Sequence, residues 1–411
     1  MNQTVPNPGL LKLDLALRGT RLDDSVRQPL DALRVSRARD GAGSNLELIL
    51  PEDVLVSIPL EERFAQHTPY VLSAEGERFW VATNGERCEV RIVPPPVYYE
   101  KTTRSGLALW RVGTVYGGHI AINPAAACGL TRTGVPCRFC HAGARVEKRE
   151  APLEVADVVE TVDAAFAEGV IEFVYLHIGH VQGDDAGASF LQPYVHAIKK
   201  HFDTLVAVQL APPADNHWID RTYAMGVDAL SYSVEIHDPE LFRRYGEGRG
   251  DQVGRERYYE ALAYAASIFP SGTVWSDLII GVEPVESTCA GIDTLVRMGV
   301  LPVLSLVPPP GDTPPPDHPL ANNSGVASAI AHLFNAVRQA KINMHWIRDL
   351  NYAITPLEAR FFAGDEARNS VTMGSQFYRS RLGNLAARNL SRMRRRLRVR
   401  KVSDSFDSSH L

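Results

Sequence analysis

The sequence predicts an α/β fold with a parallel sheet, and two observations support this prediction. Six strand-like runs rich in Val, Ile, Leu and aromatic residues lie between residues 116 and 307, a composition typical of strands buried on both faces. Helical patterns separate the runs, and this alternation with short loops implies right-handed crossovers between parallel strands. The runs are His119–Asn123, Ile171–Ile178, Leu205–Leu210, Ala229–Val234, Val274–Ile280 and Val303–Val307. A partial (β/α)6 barrel and an open doubly wound sheet both satisfy this pattern.

The first part of the chain, residues 1–100, predicts a small α+β accessory domain. Short strand-like runs occur at Leu46–Leu50, Phe79–Thr83 and Cys88–Val93. Asn84-Gly85 is a typical turn pair between two of them. Three consecutive prolines at 94–96 then predict a loop, because proline fixes φ and lacks a backbone donor.

The central part, residues 101–320, holds the strand-like runs and the helices between them. In Leu153–Glu168, apolar residues recur at helical spacing, and Gly169 suits the position just after a helix end. The other predicted helices are Phe190–His201, His217–Met225, Arg257–Phe269 and Ala290–Met298. A second proline-rich stretch, residues 307–319, predicts the end of this part.

The last part, residues 321–411, predicts a helical C-terminal extension. Thr355 followed by Pro356 is typical of a helix start, with threonine as the N-cap. Between Arg379 and Lys401 there are ten cationic residues and no acidic residue. This basic segment suggests either a solvated helix end or a contact with phosphate or nucleic acid, and the absence of interleaved aromatic residues favours the former.

Composition excludes several classes of function. The net charge of -5 argues against global attraction to nucleic acid or to an anionic membrane. The first residues show no signal-peptide pattern, and no apolar run approaches the roughly 18 residues of a membrane span. Five cysteines, three of them clustered, are unlike a disulfide framework. We therefore expect a cytoplasmic protein without a membrane partner.

The clustered cysteines are the residues most informative about chemistry. Cys128, Cys137 and Cys140 follow the first strand of the alternating region, at the sheet edge that carries active-site loops in parallel α/β folds. Three thiolates can hold three irons of a [4Fe-4S] cluster and leave the fourth iron open to a ligand. The single cysteines Cys88 and Cys289 are expected to be structural.

Two other metal sites fit the same residues less well. A structural zinc site would need a fourth ligand, for which His141 is the candidate. Cys137 to His141 also matches the c-type haem attachment pattern, but that interpretation requires export and leaves Cys128 unexplained.

A cysteine triad that ends in Cys-x-aromatic-Cys, after the first of six βα units, resembles the radical S-adenosylmethionine (SAM) superfamily. The aromatic residue is Phe139, and the resemblance covers about residues 116–310, half of the chain. The first spacing is eight residues, whereas three are usual in the superfamily. The resemblance implies the partial (β/α)6 TIM-like barrel and a [4Fe-4S] cluster on Cys128, Cys137 and Cys140.

The resemblance also implies positions that bind SAM. Gly179, after the second strand, partly matches the Gly-Gly-Glu-like segment of the superfamily. Ser233 and Glu235 lie in a fourth strand whose polar residues alternate to one face, and Gly281 ends the fifth strand. These four residues are the candidate cofactor contacts. His180 and Gln209 are the candidates for contacts with substrate.

The implied function is that of a radical SAM enzyme. The reduced cluster would cleave SAM to a 5′-deoxyadenosyl radical, which abstracts hydrogen from a small-molecule substrate. An electron donor such as flavodoxin or ferredoxin is the implied partner. Two alternatives are a radical SAM enzyme that modifies RNA, suggested only by the basic segment, and a zinc-stabilised α/β binding protein without catalysis.

Overall fold

A computed structural model describes residues 7–33, 45–60, 67–83, 85–140, 151–306, 323–370 and 380–406. Near the N-terminus, two helices accompany a six-stranded sheet with the order β1-β4-β5-β6-β2-β3, antiparallel except for the β1–β4 pair. These elements are α1 (Pro8–Arg18), α2 (Arg27–Ala32), β1 (Arg21–Leu22), β2 (Asn45–Leu50), β3 (Val54–Pro59), β4 (Val71–Glu75), β5 (Arg78–Thr83) and β6 (Glu86–Ile92). The three strand-like runs predicted in this region are β2, β5 and β6.

A second sheet has eight strands that follow one another in chain order. They are β7 (Thr114–Tyr116), β8 (His119–Ile122), β9 (Phe173–His177), β10 (Leu205–Gln209), β11 (Ala229–Ser231), β12 (Val274–Ile279), β13 (Leu301–Ser305) and β14 (Ala353–Ile354). The six strands β8 to β13 are parallel, whereas β7 and β14 are antiparallel edge strands.

This strand order decides between the two sheet arrangements that the sequence left open. A doubly wound sheet reverses its strand order at a switch point, and β8 to β13 show no reversal. When every step goes to the next strand by a right-handed crossover, all connecting helices lie on one face of the sheet. The sheet therefore curls into a half-barrel with the helices outside, so the predicted partial (β/α)6 barrel is confirmed and the doubly wound alternative is wrong.

Helices connect the barrel strands and follow them. They are α3 (Leu109–Val112), α4 (Gly129–Arg132), α5 (Val155–Glu168), α6 (Ala188–His201), α7 (His217–Ala224), α8 (Pro239–Tyr245), α9 (Glu247–Gln252), α10 (Arg255–Ile268), α11 (Val285–Arg297), α12 (Asn323–Gln339), α13 (Pro356–Ala359), α14 (Asp365–Ser370) and α15 (Arg381–Phe406). The sequence analysis missed α8 and α9, because each is too short to show a helical period. Among the helices in the described part of the chain, none is both long and apolar enough to cross a bilayer.

The N-terminal helix and the C-terminal extension pack against each other. The ammonium group of Lys12, in α1, is fully buried and donates to Glu358 Oε1 at 2.6 Å and to the Leu350 carbonyl at 2.6 Å. Glu358 also completes a capping box with Thr355, which confirms the predicted start of α13. The extension is thus joined to the rest of the molecule through α1, and through β14 it contributes a strand to the barrel sheet.

Candidate functional site

The three clustered cysteines line one cavity at the carboxyl end of the barrel strands. The cavity has a volume of about 600 Å³, within the range of small-molecule sites. Each cysteine is half-buried. The residues shared with the sequence predictions are Cys128, Cys137, Cys140, Gly179, His180, Gln209, Ser233 and Glu235. The fold therefore brings these eight residues to a single cavity.

Close backbone contacts fix the first cysteine of the loop. Gly129 donates its N–H to the His180 carbonyl at 2.7 Å, which ties the loop to the end of β9. A Cβ atom at Gly179 would lie 2.6 Å from Cys128 Cβ. Because two non-bonded carbon atoms do not approach this closely, glycine at 179 is what lets the segment after β9 pass beside Cys128.

The α8–α9 segment supports the other side of the cysteine loop. Arg138 donates its N–H to the Tyr245 carbonyl at 2.8 Å. A Cβ atom at Gly248 would lie 2.8 Å from Leu130 Cδ2 and from the Val135 carbonyl oxygen. The alternate glycines at 246, 248 and 250 were the available sequence signal for this close approach.

Arg249 is a residue of the cavity that the sequence analysis missed. Its side chain is buried and donates to the Ser233 carbonyl and, at 3.0 Å, to the Tyr258 hydroxyl. The guanidinium lies 4.6 Å from the Tyr258 ring centre and 5.9 Å from that of Phe139, the aromatic residue of the cysteine motif. Since a guanidinium stays protonated, Arg249 places a permanent positive charge beside the thiols.

Burial dominates the electrostatics of the thiols. It raises the pKa of Cys137 to about 11, although the positive charge of Arg249 acts in the opposite direction. A thiol in this position ionises when a metal binds it, because metal ligation requires the thiolate.

Ser233 lies at the centre of a polar network on the inner face of the sheet. It donates to Asp277 Oδ2 at 2.6 Å and accepts from Gln209 Nε2 at 2.8 Å. Ser305 donates to the other oxygen of Asp277 at 2.9 Å. This network holds the Gln209 and Ser233 side chains in place at the floor of the cavity.

Glu235 lies beyond the end of β11, on the same inner face of the sheet as Ser233. Its backbone has a φ of 70°, and it pairs with β12 through its N–H to the Asp277 carbonyl at 2.9 Å. Burial raises the pKa of the Glu235 carboxyl to about 8, the charge of Asp277 adds to the rise, and Arg249 opposes it. A cationic group of a ligand would stabilise the ionised form of this carboxyl.

Some predicted residues lie elsewhere. Gly281 lies two residues beyond β12, with a φ of 89°, and it is not among the residues that line the cavity. Cys88 is buried in β6 and Cys289 lies in α11, and neither lines the cavity. His141, the candidate fourth zinc ligand, lies outside the described residues.

The three thiols are a donor set that an iron–sulfur cluster can use. In a four-iron cluster each thiolate binds a different iron. Thiolates around one cavity are the soft ligands that such clusters select.

Known proteins share part of this chain's sequence or fold. No protein-family model matches the chain. A bacteriochlorophyllide c C-7(1)-hydroxylase of Chlorobaculum limnaeum is 23% identical over 223 residues, which are 48% of this chain and 56% of the hydroxylase. Methylornithine synthase (PylB) has a TM-score of 0.41 and 17% identity, covering 54% of this chain and 63% of that structure. A radical SAM methyltransferase from Sphaerobacter thermophilus has a TM-score of 0.37 and 15% identity, and the match covers 67% of this chain and 76% of that structure.

The chain resembles the radical SAM superfamily. This resemblance, predicted from the cysteine loop and the six βα units, is confirmed. The chain spans little more than half the length of the hydroxylase that it matches.

Proposed function

We propose that this protein is a radical SAM enzyme that acts on a small-molecule substrate. The proposal rests on one observation: a single cavity at the carboxyl edge of the half-barrel is lined by Cys128, Cys137 and Cys140. In this proposal the three thiolates hold a [4Fe-4S] cluster, and SAM binds beside it. When bound, the cluster supplies the electron that cleaves SAM and so provides a radical able to abstract hydrogen.

The residues of the cavity floor would orient SAM. Glu235 offers a carboxyl to a positively charged or hydroxyl group, and Gly179 leaves room for close approach to the backbone. Ser233 is held by its bonds to Gln209 and Asp277, so it presents a fixed polar edge to the ligand. Gly281 does not line this cavity, so a SAM contact there stays a prediction.

Aromatic side chains fill the barrel below the cavity. The His119 ring lies 5.0 Å from Phe173 and 5.7 Å from Tyr175, and Tyr175 lies 6.0 Å from Trp275, between ring centres. We expect a substrate to enter at the cysteine end, where the candidate SAM contacts lie. His180 and Gln209, which line that end, remain the candidates for substrate contacts.

The partners of the reaction follow from its chemistry. Cleavage of SAM consumes an electron, so we propose a low-potential donor such as flavodoxin or ferredoxin, and a reducing cytoplasm as the place of action. RNA is a weaker substrate candidate, because several arginines of the basic segment contact the protein's own carbonyl and carboxylate groups.

Anaerobic purification and cysteine substitution test the proposal. Wild-type protein is expected to carry iron and sulfide and to release 5′-deoxyadenosine from SAM after reduction with dithionite. Cys128→Ala, Cys137→Ala and Cys140→Ala should each lose most of the iron and all of this activity. Cys88→Ala and Cys289→Ala are matched controls that should retain both. Full SAM cleavage by Cys128→Ala would contradict the assignment.

Metal analysis of His141→Ala separates the cluster from the zinc alternative. A cluster on three cysteines should persist in this variant, whereas a zinc site with His141 as ligand should lose its metal. Zinc in place of iron in anaerobically prepared wild-type protein would favour the binding-protein alternative.

A further inference from the structure

The C-terminal helix α15 lies across the end of the barrel opposite to the cysteines. Arg388 donates to the Asp203 carbonyl at 2.7 Å, and Arg395 donates to the Val227 carbonyl at 2.9 Å and to Asp228 Oδ1 at 2.7 Å. Ser391 donates to the same carboxylate oxygen. Because Arg388, Ser391 and Arg395 follow helical spacing, one face of α15 is committed to the barrel.

The other face of α15 exposes large apolar side chains. Leu382 is 73% exposed, Leu390 59% and Met393 56%, and Leu385 beside them is 47% exposed. At 100° per residue, Leu382 and Met393 point roughly away from Ser391 and Arg395. The helix is therefore attached by its polar side and presents its apolar side outward, the reverse of an ordinary surface helix.

An apolar groove adjoins this exposed face. It has a volume of about 500 Å³ and lies where the barrel strands begin. Leu390 and Met393 of α15 line it together with Trp346, Ile347 and Phe173. The exposed stripe thus continues into a recess wide enough for a hydrocarbon chain.

The sequence of α15 is rich in positive charge. The segment from Arg379 to Lys401 carries ten cationic residues and no acidic one. Arg392, Arg394 and Arg396 are exposed on α15 close to Met393, although Arg392 also bonds Asp203 and Arg394 donates to the Phe269 carbonyl at 3.5 Å. Although the whole chain has a net charge of -5, this face is locally cationic.

We propose that this face binds the surface of an anionic lipid bilayer, with α15 lying in the plane of the interface. Its leucines and Met393 would enter the boundary between headgroups and acyl chains, the groove would take up an acyl chain, and Arg396, with the outer parts of Arg392 and Arg394, would contact lipid phosphates. The cysteine cavity, at the other end of the barrel, would then face the aqueous side.

The same features argue against other occupants. A nucleic acid would satisfy the arginines but would leave the leucine stripe and the groove in water, and α15 offers no aromatic ring from Arg381 to Lys401 for base stacking. A second copy of the chain would cover the apolar stripe but would bring two strongly cationic helices together. An anionic bilayer satisfies both the apolar and the charged groups.

Vesicle flotation with the full-length protein tests this proposal. Vesicles of equal parts phosphatidylglycerol and phosphatidylcholine should bind the wild type at low salt, and pure phosphatidylcholine vesicles should bind it far less. The double variant Leu390→Glu/Met393→Glu should bind about tenfold more weakly or worse, since it removes two apolar side chains that the bilayer would bury. Leu107→Glu, at an exposed leucine in the loop before the barrel, is the matched control and should bind like the wild type.

Several outcomes would overturn the proposal. Failure of the wild type to float with anionic vesicles would do so, as would undiminished binding by the Leu390→Glu/Met393→Glu variant. A wild-type dimer that the double variant converts to a monomer would assign the stripe to self-association instead. Displacement of the protein from vesicles by stoichiometric single-stranded RNA would assign the arginines to nucleic acid. Leu382→Glu repeats the test at a side chain that is 73% exposed and outside the groove, so its folding is not at risk.

Discussion

Glu235 shows how one residue departs from its strand to serve the cavity. A φ of 70° is uncommon for a residue with a side chain and costs about 1–3 kcal/mol. Hydrogen bonds to β12 on both sides, from its N–H to the Asp277 carbonyl and from the Ile279 N–H to its carbonyl at 2.8 Å, hold it there. The strained backbone therefore keeps this carboxyl at the cavity.

Replacing the Glu235 carboxyl should weaken SAM binding. Glu235→Gln keeps the size of the side chain but removes a charge-assisted acceptor, a loss of about 1–3 kcal/mol, or roughly 5- to 150-fold in affinity. The cluster should remain intact because its ligands are unchanged. SAM titration followed by the EPR signal of the reduced cluster measures the affinity. Unchanged affinity and turnover would show that Glu235 does not contact SAM.

His119 should make the stability of the protein sensitive to acid. The ring is 2% exposed, its Nδ1 atom has no hydrogen-bond partner among the described residues, and burial lowers its pKa to about 3, with His177 contributing. An unfolded histidine binds a proton near pH 6.5, whereas the folded one resists protonation. The unfolded state therefore gains protons first, and stability should fall as the pH drops from about 6.5 towards 3.

The variant His119→Phe measures this effect. Its melting temperature should decline less between pH 7 and pH 5 than that of the wild type, because phenylalanine removes the titrating group and keeps a ring in the stack with Phe173. Thermal melts at several pH values provide the comparison. Parallel declines in the two proteins would mean that other groups control the acid response.

At the scale of elements, the α8–α9 segment and the cysteine loop form one packed unit. Gly248 is the point of closest approach. An added Cβ at Gly250, in the same helix, would make only an ordinary van der Waals contact with Arg243 Cγ at 4.0 Å. Because neither glycine has a positive φ, the two positions differ in packing and not in backbone conformation.

This pair of glycines offers a matched test. Gly248→Ala should push the cysteine loop outward, at a cost of about 1–3 kcal/mol, and reduce the iron retained per chain. Gly250→Ala should be neutral or slightly stabilising, since alanine favours helix. Iron content and melting temperature of the two anaerobic proteins give the answer. Equal iron retention would show that the loop adapts without support from α9.

At the scale of the whole molecule, Lys12 joins segments that are 346 residues apart. Its ammonium group and the Glu358 carboxylate are both buried, and the Leu350 carbonyl and Thr355 complete their hydrogen bonds. A buried ion pair of this kind adds little net stability, but removal of one partner leaves the other uncompensated.

Loss of the Lys12 charge should consequently destabilise the fold. Lys12→Met is expected to lower the free energy of unfolding by about 3–5 kcal/mol, and the double variant Lys12→Met/Glu358→Gln should recover part of the loss. Urea unfolding of the three proteins measures the coupling. If the double variant were less stable than Lys12→Met, loss of the interaction between these two side chains could not be what destabilises Lys12→Met.

The sequence by itself determined the βα alternation, the cysteine loop at the carboxyl edge and the helix start at Thr355. These features depend on side-chain periods and on turn residues that act over a few neighbouring positions. It also predicted that Gly179, Ser233 and Glu235 lie at strand ends on this edge, and all three line the cavity, although β11 ends at Ser231, before the predicted strand does.

Only the tertiary structure decided the curvature of the sheet, the support of the cysteine loop by α9, the presence of Arg249 in the cavity and the absence of Gly281 from it. It also decided that Arg388 contacts Asp203, which lies 185 positions earlier in the chain, and that Arg395 contacts Val227, which lies 168 positions earlier. Contacts between distant segments depend on how whole elements pack, and no local period encodes that packing.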